Sequence, residues 1–417
     1  MARTRKKPVE KLAPVADEVL DQFGPAAGMS MEDINAATRR LKRALMERML
    51  GGELSHHLGY PPGGDKPDDT PNHRNGATPK TVVTDDGPVA IAVPRDRAGT
   101  FAPVLVPKHA RRLAGFDDKV LALYARGLPT REIQKFLEEI YAIEVSPDLI
   151  SEVTDAVVAE VTAWQARPLE PMYPVVFFDA LRVKIRDEGV VRSKAVYLAL
   201  AVLPDGTRDI LGIWIEQTEG AKFWLKVFND LQARGCDDII IAVTDGLAGM
   251  SAALDAAYPR TTLQTCLVHL IRNSLDLAGW QDRKALAAAL RAIYTAPSGA
   301  AASAALDAFA AGPWGRRFPT IEKRWRQAWE RVIPFFAIPP EIRRVIYTTN
   351  ALESVHARVR KIIKTRGHFP TDEAATKLIW LALRNITADW SKAAHHWRAA
   401  MNQFAILYED RFLTGPA

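Results

Sequence analysis

Tyr173-Pro174-Val175-Val176-Phe177-Phe178-Asp179 sets four apolar residues in a row between a proline and a carboxylate. A continuous apolar run this short reads as a strand buried on both faces. Aspartate is disfavoured inside strands, and an ionised carboxylate is costly to bury without a partner. Asp179 is therefore expected at a strand end, either solvated or held there for chemistry.

Working outward, the chain keeps alternating strands with turns. The first strand is expected to finish near Arg186, and Asp187-Glu188-Gly189 turns into a second strand at 195–202. Pro204-Asp205-Gly206 leads to a third at 210–215, followed by a helix over 219–234 with Thr218 as its cap and Gly235 as its stop. A fourth strand at 238–244 closes on Asp245-Gly246, and a helix at 249–258 and a short strand at 261–265 follow. Three meandering strands, a helix, a strand, a helix and a strand is the order of an RNase H-like α/β domain. That order sets the first and fourth strands side by side, which brings Asp179 and Asp245 together at one edge.

Residues 279–340 are expected to interrupt this domain with helices. Within them basic and aromatic residues alternate, from Trp314, Arg316 and Arg317 through Trp325 to Trp329 and Arg331. Tryptophans in such a pattern pack between helices or stack on exposed nucleotide bases. The domain resumes at 341, and between Asn350 and Pro370 its only acidic residue is Glu353, set against Arg358, Arg360, Lys361, Lys364 and Arg366. A lone carboxylate in a basic helix serves as a salt-bridge partner or as a metal ligand beside a phosphate track.

The chain before 169 is of another character. Residues 1–60 read as basic and helical, with Leu41, Leu45, Met46 and Met49 on one stripe and Arg39, Arg40, Lys42, Arg43 and Arg48 around it. Residues 61–80 hold five prolines and three glycines and read as a linker. Within 61–115 the period then shifts to two, and Asp86-Gly87 between alternating runs signals a β-hairpin that must dock on something to be stable. Residues 116–168 read as three short helices, with Asp117 capping the first, Gly127 stopping it, Thr130 capping the second and Ser146-Pro147 opening the third. Short turns between them suggest a helix-turn-helix arrangement for DNA.

Bulk properties bound the rest. The 417 residues are 48% hydrophobic, enough for several cores, yet no run approaches the roughly 18 apolar residues of a membrane span. Two cysteines, Cys236 and Cys266, argue against a disulfide framework and for a reducing, cytoplasmic setting. The formal charge of +6 suits a polyanionic partner without requiring one.

Three carboxylates on two strands and a helix, Asp179, Asp245 and Glu353, can hold two divalent ions such as Mg²⁺ or Mn²⁺. Such a pair stabilises the attacking and leaving oxygens of a phosphodiester displacement. Paired carboxylates also serve glycosidases, but the cations around Glu353 suit phosphate better than sugar. Cys266 and His269 lie one helical turn apart, too few ligands for structural zinc.

Taken in order, the blocks Asn72-His73-Arg74-Asn75-Gly76, Val93-Pro94-Arg95-Asp96-Arg97, Glu219-Gly220-Ala221-Lys222-Phe223-Trp224, Cys266-Leu267-Val268-His269, Arg272-Asn273-Ser274 and Tyr347-Thr348-Thr349-Asn350-Ala351-Leu352-Glu353-Ser354 resemble bacterial insertion-sequence transposases of the Mutator type, the insertion-sequence 256 family. The resemblance runs from about Arg39 to Trp390. It implies a DDE triad at Asp179, Asp245 and Glu353 that ligates two metal ions for 3′-end cleavage and strand transfer at terminal inverted repeats, through a circular intermediate and without a covalent enzyme–DNA bond. It also implies His269 near the catalytic edge. The residues themselves make Arg272, Trp325, Arg358, Arg360, Lys361, Lys364 and Arg366 the expected DNA contacts, and strand transfer at two ends requires a homodimer on double-stranded DNA, in the bacterial cytoplasm and at the nucleoid when bound. Where the family commonly reads Ser-Leu-Asn, this chain has Ser354-Val355-His356, which leaves the role of His356 open. An RNase H-fold nuclease that cuts without joining, and a transposase-derived DNA-binding protein without catalytic activity, are the alternatives.

Overall fold

The computed structural model describes residues 30–67, 71–84, 87–141, 143–347, 350–388, 390 and 395–412. It is a mixed α/β chain of two compact units, one formed by 30–123 with 130–153 and the other by 124–129 with 154–412.

In the first unit, helix α1 (Met31–Leu58) opens with a capping box, the Ser30 hydroxyl accepting from the Asp33 amide while the Asp33 carboxylate accepts from the Ser30 amide. It ends on Gly59, whose φ of 81° suits a residue without a Cβ. Strands β1 (Arg74–Thr84) and β2 (Gly87–Asp96) form an antiparallel hairpin whose first strand begins at Arg74, inside the 61–80 stretch expected as a linker. The Asp86 half of the expected Asp86-Gly87 turn lies outside the described residues. Met46 and Leu50 pack on Val82, Val89, Ile91 and Val106, so the hairpin finds its support on α1. The buried stripe is thus Met46, Leu50, Leu54 and Leu58, four residues apart, whereas Leu41, Leu45 and Met49 are exposed. The carboxylates on α1 decide this side: Glu47 accepts from the Ala92 amide, and Glu53 accepts from the Val104 and Leu105 amides.

The three expected helices are α2 (Ala114–Ala125), α3 (Thr130–Tyr141) and α4 (Pro147–Gln165). Asp117 is not the cap of α2, since the helix begins three residues earlier; it pairs with Arg112 instead. Ser146 does cap α4, its hydroxyl accepting from the Leu149 amide at 3.1 Å.

The second unit is built on strands β3 (Met172–Asp187), β4 (Val190–Val202), β5 (Arg208–Glu216), β6 (Asp238–Thr244) and β7 (Thr262–Thr265). Their order is β5-β4-β3-β6-β7; β3, β4 and β5 are antiparallel, while β6 and β7 run parallel to β3. Helices α5 (Ala221–Ala233) and α6 (Met250–Ala257) cover one face through Trp224, Val227, Phe228, Leu231 and Leu254, with Phe178 and Tyr197 edge-on to Trp224. Thr218 is not the cap of α5; Gly220 holds that position in extended backbone. A Cβ on Gly249 would meet the Ala221 amide nitrogen at 2.2 Å, so the loops before α5 and α6 press directly together.

Helix α7 (Leu267–Leu275) follows β7, and α8 (Arg283–Tyr294), α9 (Gly299–Ala311), α10 (Pro313–Arg317), α11 (Pro319–Val332), α12 (Pro334–Ala337) and α13 (Pro340–Tyr347) make up the helical interruption. Helices α14 (Asn350–Arg366), α15 (Asp372–Thr387), α16 (His395–Leu407) and α17 (Glu409–Phe412) complete the chain. Between α14 and α15, Phe369 bridges to Ile185 and ties this region to β3. Among the described residues no helix is long and apolar enough to cross a membrane.

Candidate active site

Parallel pairing of β3 with β6 matches Phe178 to Thr244, so Asp179 and Asp245 each follow the last paired residue of their strand. Asp179 does not end β3, however. The strand continues to Asp187 because β4 goes on pairing with it, Asp179 opposite Leu198. The carboxylate is expelled from the parallel half of the sheet at the point where β6 stops, not from the strand itself. A bulk-buried position results, with Asp179 only 5% exposed.

Three groups make that burial tolerable. The Ala180 amide donates to Asp179 Oδ1 at 2.7 Å, His356 Nδ1 on α14 lies 3.0 Å from Oδ2, and His269 Nε2 on α7 lies 3.8 Å from the same oxygen. The His356 contact is close but oblique, and neither ring nitrogen of this fully buried imidazole makes a linear hydrogen bond among the described residues. Burial alone pushes the Asp179 carboxyl up; His356, His269 and the Ala180 amide outweigh it and hold the group below its ordinary value. Asp245 goes the other way. It sits at the open mouth of the cleft, yet loss of solvent on its inner side, followed by the charge of Asp179, raises its carboxyl.

Ligand atoms of Asp179, Asp245 and His269 lie within 4.8 Å of one another, the one such group of acids, histidines or cysteines among the described residues. Two carboxylates of opposed titration and an imidazole form an oxygen-rich donor set that suits a hard divalent cation. Glu353 lines the same small cleft from α14, but its carboxylate is engaged by Arg272 of α7. Cys266, also in the cleft wall, has its thiol pushed up to about 11 by burial, so it stays protonated at neutral pH.

The expected DNA contacts divide. Arg358, Arg360, Lys361 and Lys364 are exposed on α14, whose Val355 and Val359 face inward. Arg366 is half-buried, its guanidinium 4.1 Å over the Tyr124 ring and donating to the Leu128 carbonyl, so it braces the fold. Trp325 is fully buried and its indole N–H donates to the Ser274 hydroxyl at 3.1 Å; stacking on a base is closed to it. Arg272 holds a carboxylate rather than standing open.

Glu219 carries no role in the sequence reading. Its Oε1 is buried without a hydrogen-bond partner among the described residues, and its charge adds to the upward push on Asp245. Nothing in the spacing of Glu219 signals this, because both its buried Oε1 and its influence on Asp245 arise only from the folded arrangement.

The model of the family described as "Transposase, Mutator family" matches residues 18–393, spanning every residue of the cleft. The chain belongs to the Mutator family of transposases. A probable transposase for insertion sequence element ISRM3-like from Sinorhizobium fredii is 52% identical over 402 residues, covering 95% of this chain and 99% of that one. The transposase for insertion sequence element ISRM3 of Rhizobium meliloti is 52% identical with the same coverage. The transposase for insertion sequence element IS256 in transposon Tn4001 of Staphylococcus aureus is 26% identical, over 76% of this chain and 82% of its own. Transposases act on DNA, and members of the family generally use a divalent metal, for which this acidic group is a fitting place.

Proposed function

We propose that the chain is a DDE transposase that cleaves 3′ ends at the terminal inverted repeats of an insertion sequence and joins them to target DNA, with Asp179, Asp245 and Glu353 as its acids. The observation that carries this reading is the meeting of Asp179 and Asp245 at the end of the β3–β6 pairing, with Glu353 lining the same cleft. The β5-β4-β3-β6-β7 order supports an RNase H-like catalytic domain over 169–278 and 341–417, interrupted by helices at 279–340. The basic helix α1 (Met31–Leu58), the hairpin region at 61–115 and the three helices at 116–168 would then serve DNA binding.

Two Mg²⁺ or Mn²⁺ ions held by the three carboxylates would supply Lewis-acid stabilisation of the attacking and leaving oxygens. The protein's own groups do the rest. The Ala180 amide and His356 fix Asp179, and His269 stands beside Asp179 and Asp245 with its Nε2 toward the cleft, within reach of a phosphate oxygen. The exposed cations of α14 extend a positive track away from Glu353. In cleavage, water attacks phosphorus and the 3′ oxygen leaves with a proton; in joining, that 3′ hydroxyl attacks a target phosphorus and displaces another 3′ oxygen. Two ends require two such sites, so the working form is a homodimer on double-stranded DNA, acting in the bacterial cytoplasm.

A labelled terminal-repeat duplex incubated with Mg²⁺ or Mn²⁺ tests this. Nicked and joined products that require metal and disappear in Glu353→Gln support the reading. Nicking without joining would make the chain a nuclease, and full activity in Glu353→Gln would remove that residue from the site.

A further inference from the structure

The block Val93-Pro94-Arg95-Asp96-Arg97 is absent from the lining of the cleft, yet it is tied to neighbouring loops by a dense set of hydrogen bonds. Asp96 points inward and is 4% exposed. It accepts from Asn72 Nδ2 at 2.6 Å, from the Thr100 amide at 2.9 Å and hydroxyl at 2.7 Å, and from the Phe101 amide at 3.2 Å. Asn72 in turn accepts from the Ala98 amide, and the Arg97 amide donates to the His73 carbonyl. The strand end is thereby locked to the segment that enters the hairpin. In extended backbone, successive side chains alternate in direction. Fixing Asp96 inward therefore fixes Arg95 and Arg97 outward, and both are exposed.

Beside them lies a groove of about 560 Å³. Its rim carries Lys80, Arg95, Arg97 and Lys108, and its floor includes Val93 and Phe101. The Lys80 ammonium donates to the carbonyls of Pro107 and Lys108, and Lys108 donates to the Gly99 carbonyl, so these two brace the groove wall. Neither Arg95 nor Arg97 has an acidic partner among the described residues. The carboxylate nearest in sequence, Asp96, is spent on its own hydrogen bonds.

We propose that this groove is a DNA-backbone site, in which Arg95 and Arg97 take successive phosphates and the apolar floor takes the sugar face between them. The inference rests on the proposed DNA-binding role of the hairpin region and deepens it by naming the groove and the two arginines that hold the backbone. The charge pattern favours a polyanion: two exposed arginines two residues apart, with the intervening acid turned inward. Guanidiniums suit phosphate because they present paired donors in a plane. Such contacts position the duplex without reading its sequence.

The test is full-length protein binding a fluorescent 30-base-pair duplex of arbitrary sequence in EDTA, across a salt series, so that no cleavage contributes. Each lost phosphate contact flattens the log–log salt dependence by about 0.9. The double substitution Arg95→Ala with Arg97→Ala is expected to weaken binding about tenfold or more and to flatten the slope by about 1.8. Arg95→Lys with Arg97→Lys keeps the slope. If the double alanine variant melts early, each single alanine change is expected to flatten the slope by about 0.9. Unchanged affinity and slope in folded variants would overturn the proposal. So would intact DNA binding with lost binding to polyglutamate, which would make the groove a surface for an acidic protein. Because binding is read without metal, failure of the DDE chemistry leaves this result untouched, and failure here leaves the DDE reading untouched.

Discussion

His356 Nδ1 stands 3.0 Å from Asp179 Oδ2, so this buried histidine touches the buried carboxylate of the cleft. Asparagine offers an N–H donor of similar reach, which makes His356→Asn the conservative change and His356→Ala the disruptive one. Groups that orient metal-binding carboxylates typically matter by about 10–100-fold in metal affinity or activity. His356→Ala is expected to raise the Mn²⁺ concentration for half-maximal cleavage, and to weaken Mn²⁺ binding seen by electron paramagnetic resonance, by a factor in that range. His356→Asn is expected to restore most of both. Equal losses in the two variants would reduce His356 to a packing residue.

Arg272 occupies the Glu353 carboxylate that the proposed mechanism needs for metal. Removing the guanidinium frees that carboxylate. In the absence of DNA, Arg272→Ala is expected to bind Mn²⁺ several-fold more tightly by calorimetry while losing affinity for DNA. Unaltered metal affinity would show that the pair does not compete with metal.

Trp325 is buried and bonded to Ser274, so its removal empties a large core volume. Trp325→Ala is expected to cost about 3–5 kcal/mol of stability in denaturant unfolding. Trp325→Phe, which keeps most of the volume and loses only the N–H, is expected to cost far less. Wild-type stability with selectively lost DNA binding would reinstate a stacking role.

Asp96 links stability to pH. Burial pushes its carboxyl up, but the bonds from Asn72, Thr100 and Phe101 outweigh that and hold it well below the usual carboxylate range. Because the folded-state value lies below the unfolded one, the stabilisation is complete above the unfolded value of about 3.9 and is lost as pH falls through the folded value. Asp96→Asn is expected to lower Tm by several degrees at pH 7, with the gap to wild type closing below about pH 4. A gap that widened on acidification would contradict the assignment.

Much of this was readable in the residues. The strands 195–202, 210–215 and 238–244 are short apolar runs bracketed by turns, a pattern that suits buried strands. Their order already brings Asp179 beside Asp245. The misplacement of Asp179 at a strand end has a simple source: a carboxylate is disfavoured in a strand, and only the partner strand reveals that it is β6, not β3, that stops there. Trp325 misled because Ile321, Trp325, Ala328 and Val332 form a buried helical stripe that in sequence also reads as alternation with arginine. Arg366 looked like its exposed neighbours because Tyr124 and Leu128, which hold it, lie more than two hundred residues away. The contacts His356–Asp179 and Arg272–Glu353 depend on how α7 and α14 meet, which spacing alone does not encode.

In the proposed reaction Asp179 and Asp245 work together on a phosphodiester. The most direct measurement is nicking and joining of a labelled terminal-repeat duplex by Asp245→Asn beside wild type, with Mg²⁺ or Mn²⁺ and with DNA affinity recorded for both. Wild type is expected to nick and join in a metal-dependent way, and the variant to lose both by about a thousandfold or more, in line with losing a major transition-state electrostatic contact, at unchanged or tighter DNA binding. Cleavage surviving in Asp245→Asn would place the active site elsewhere in the chain.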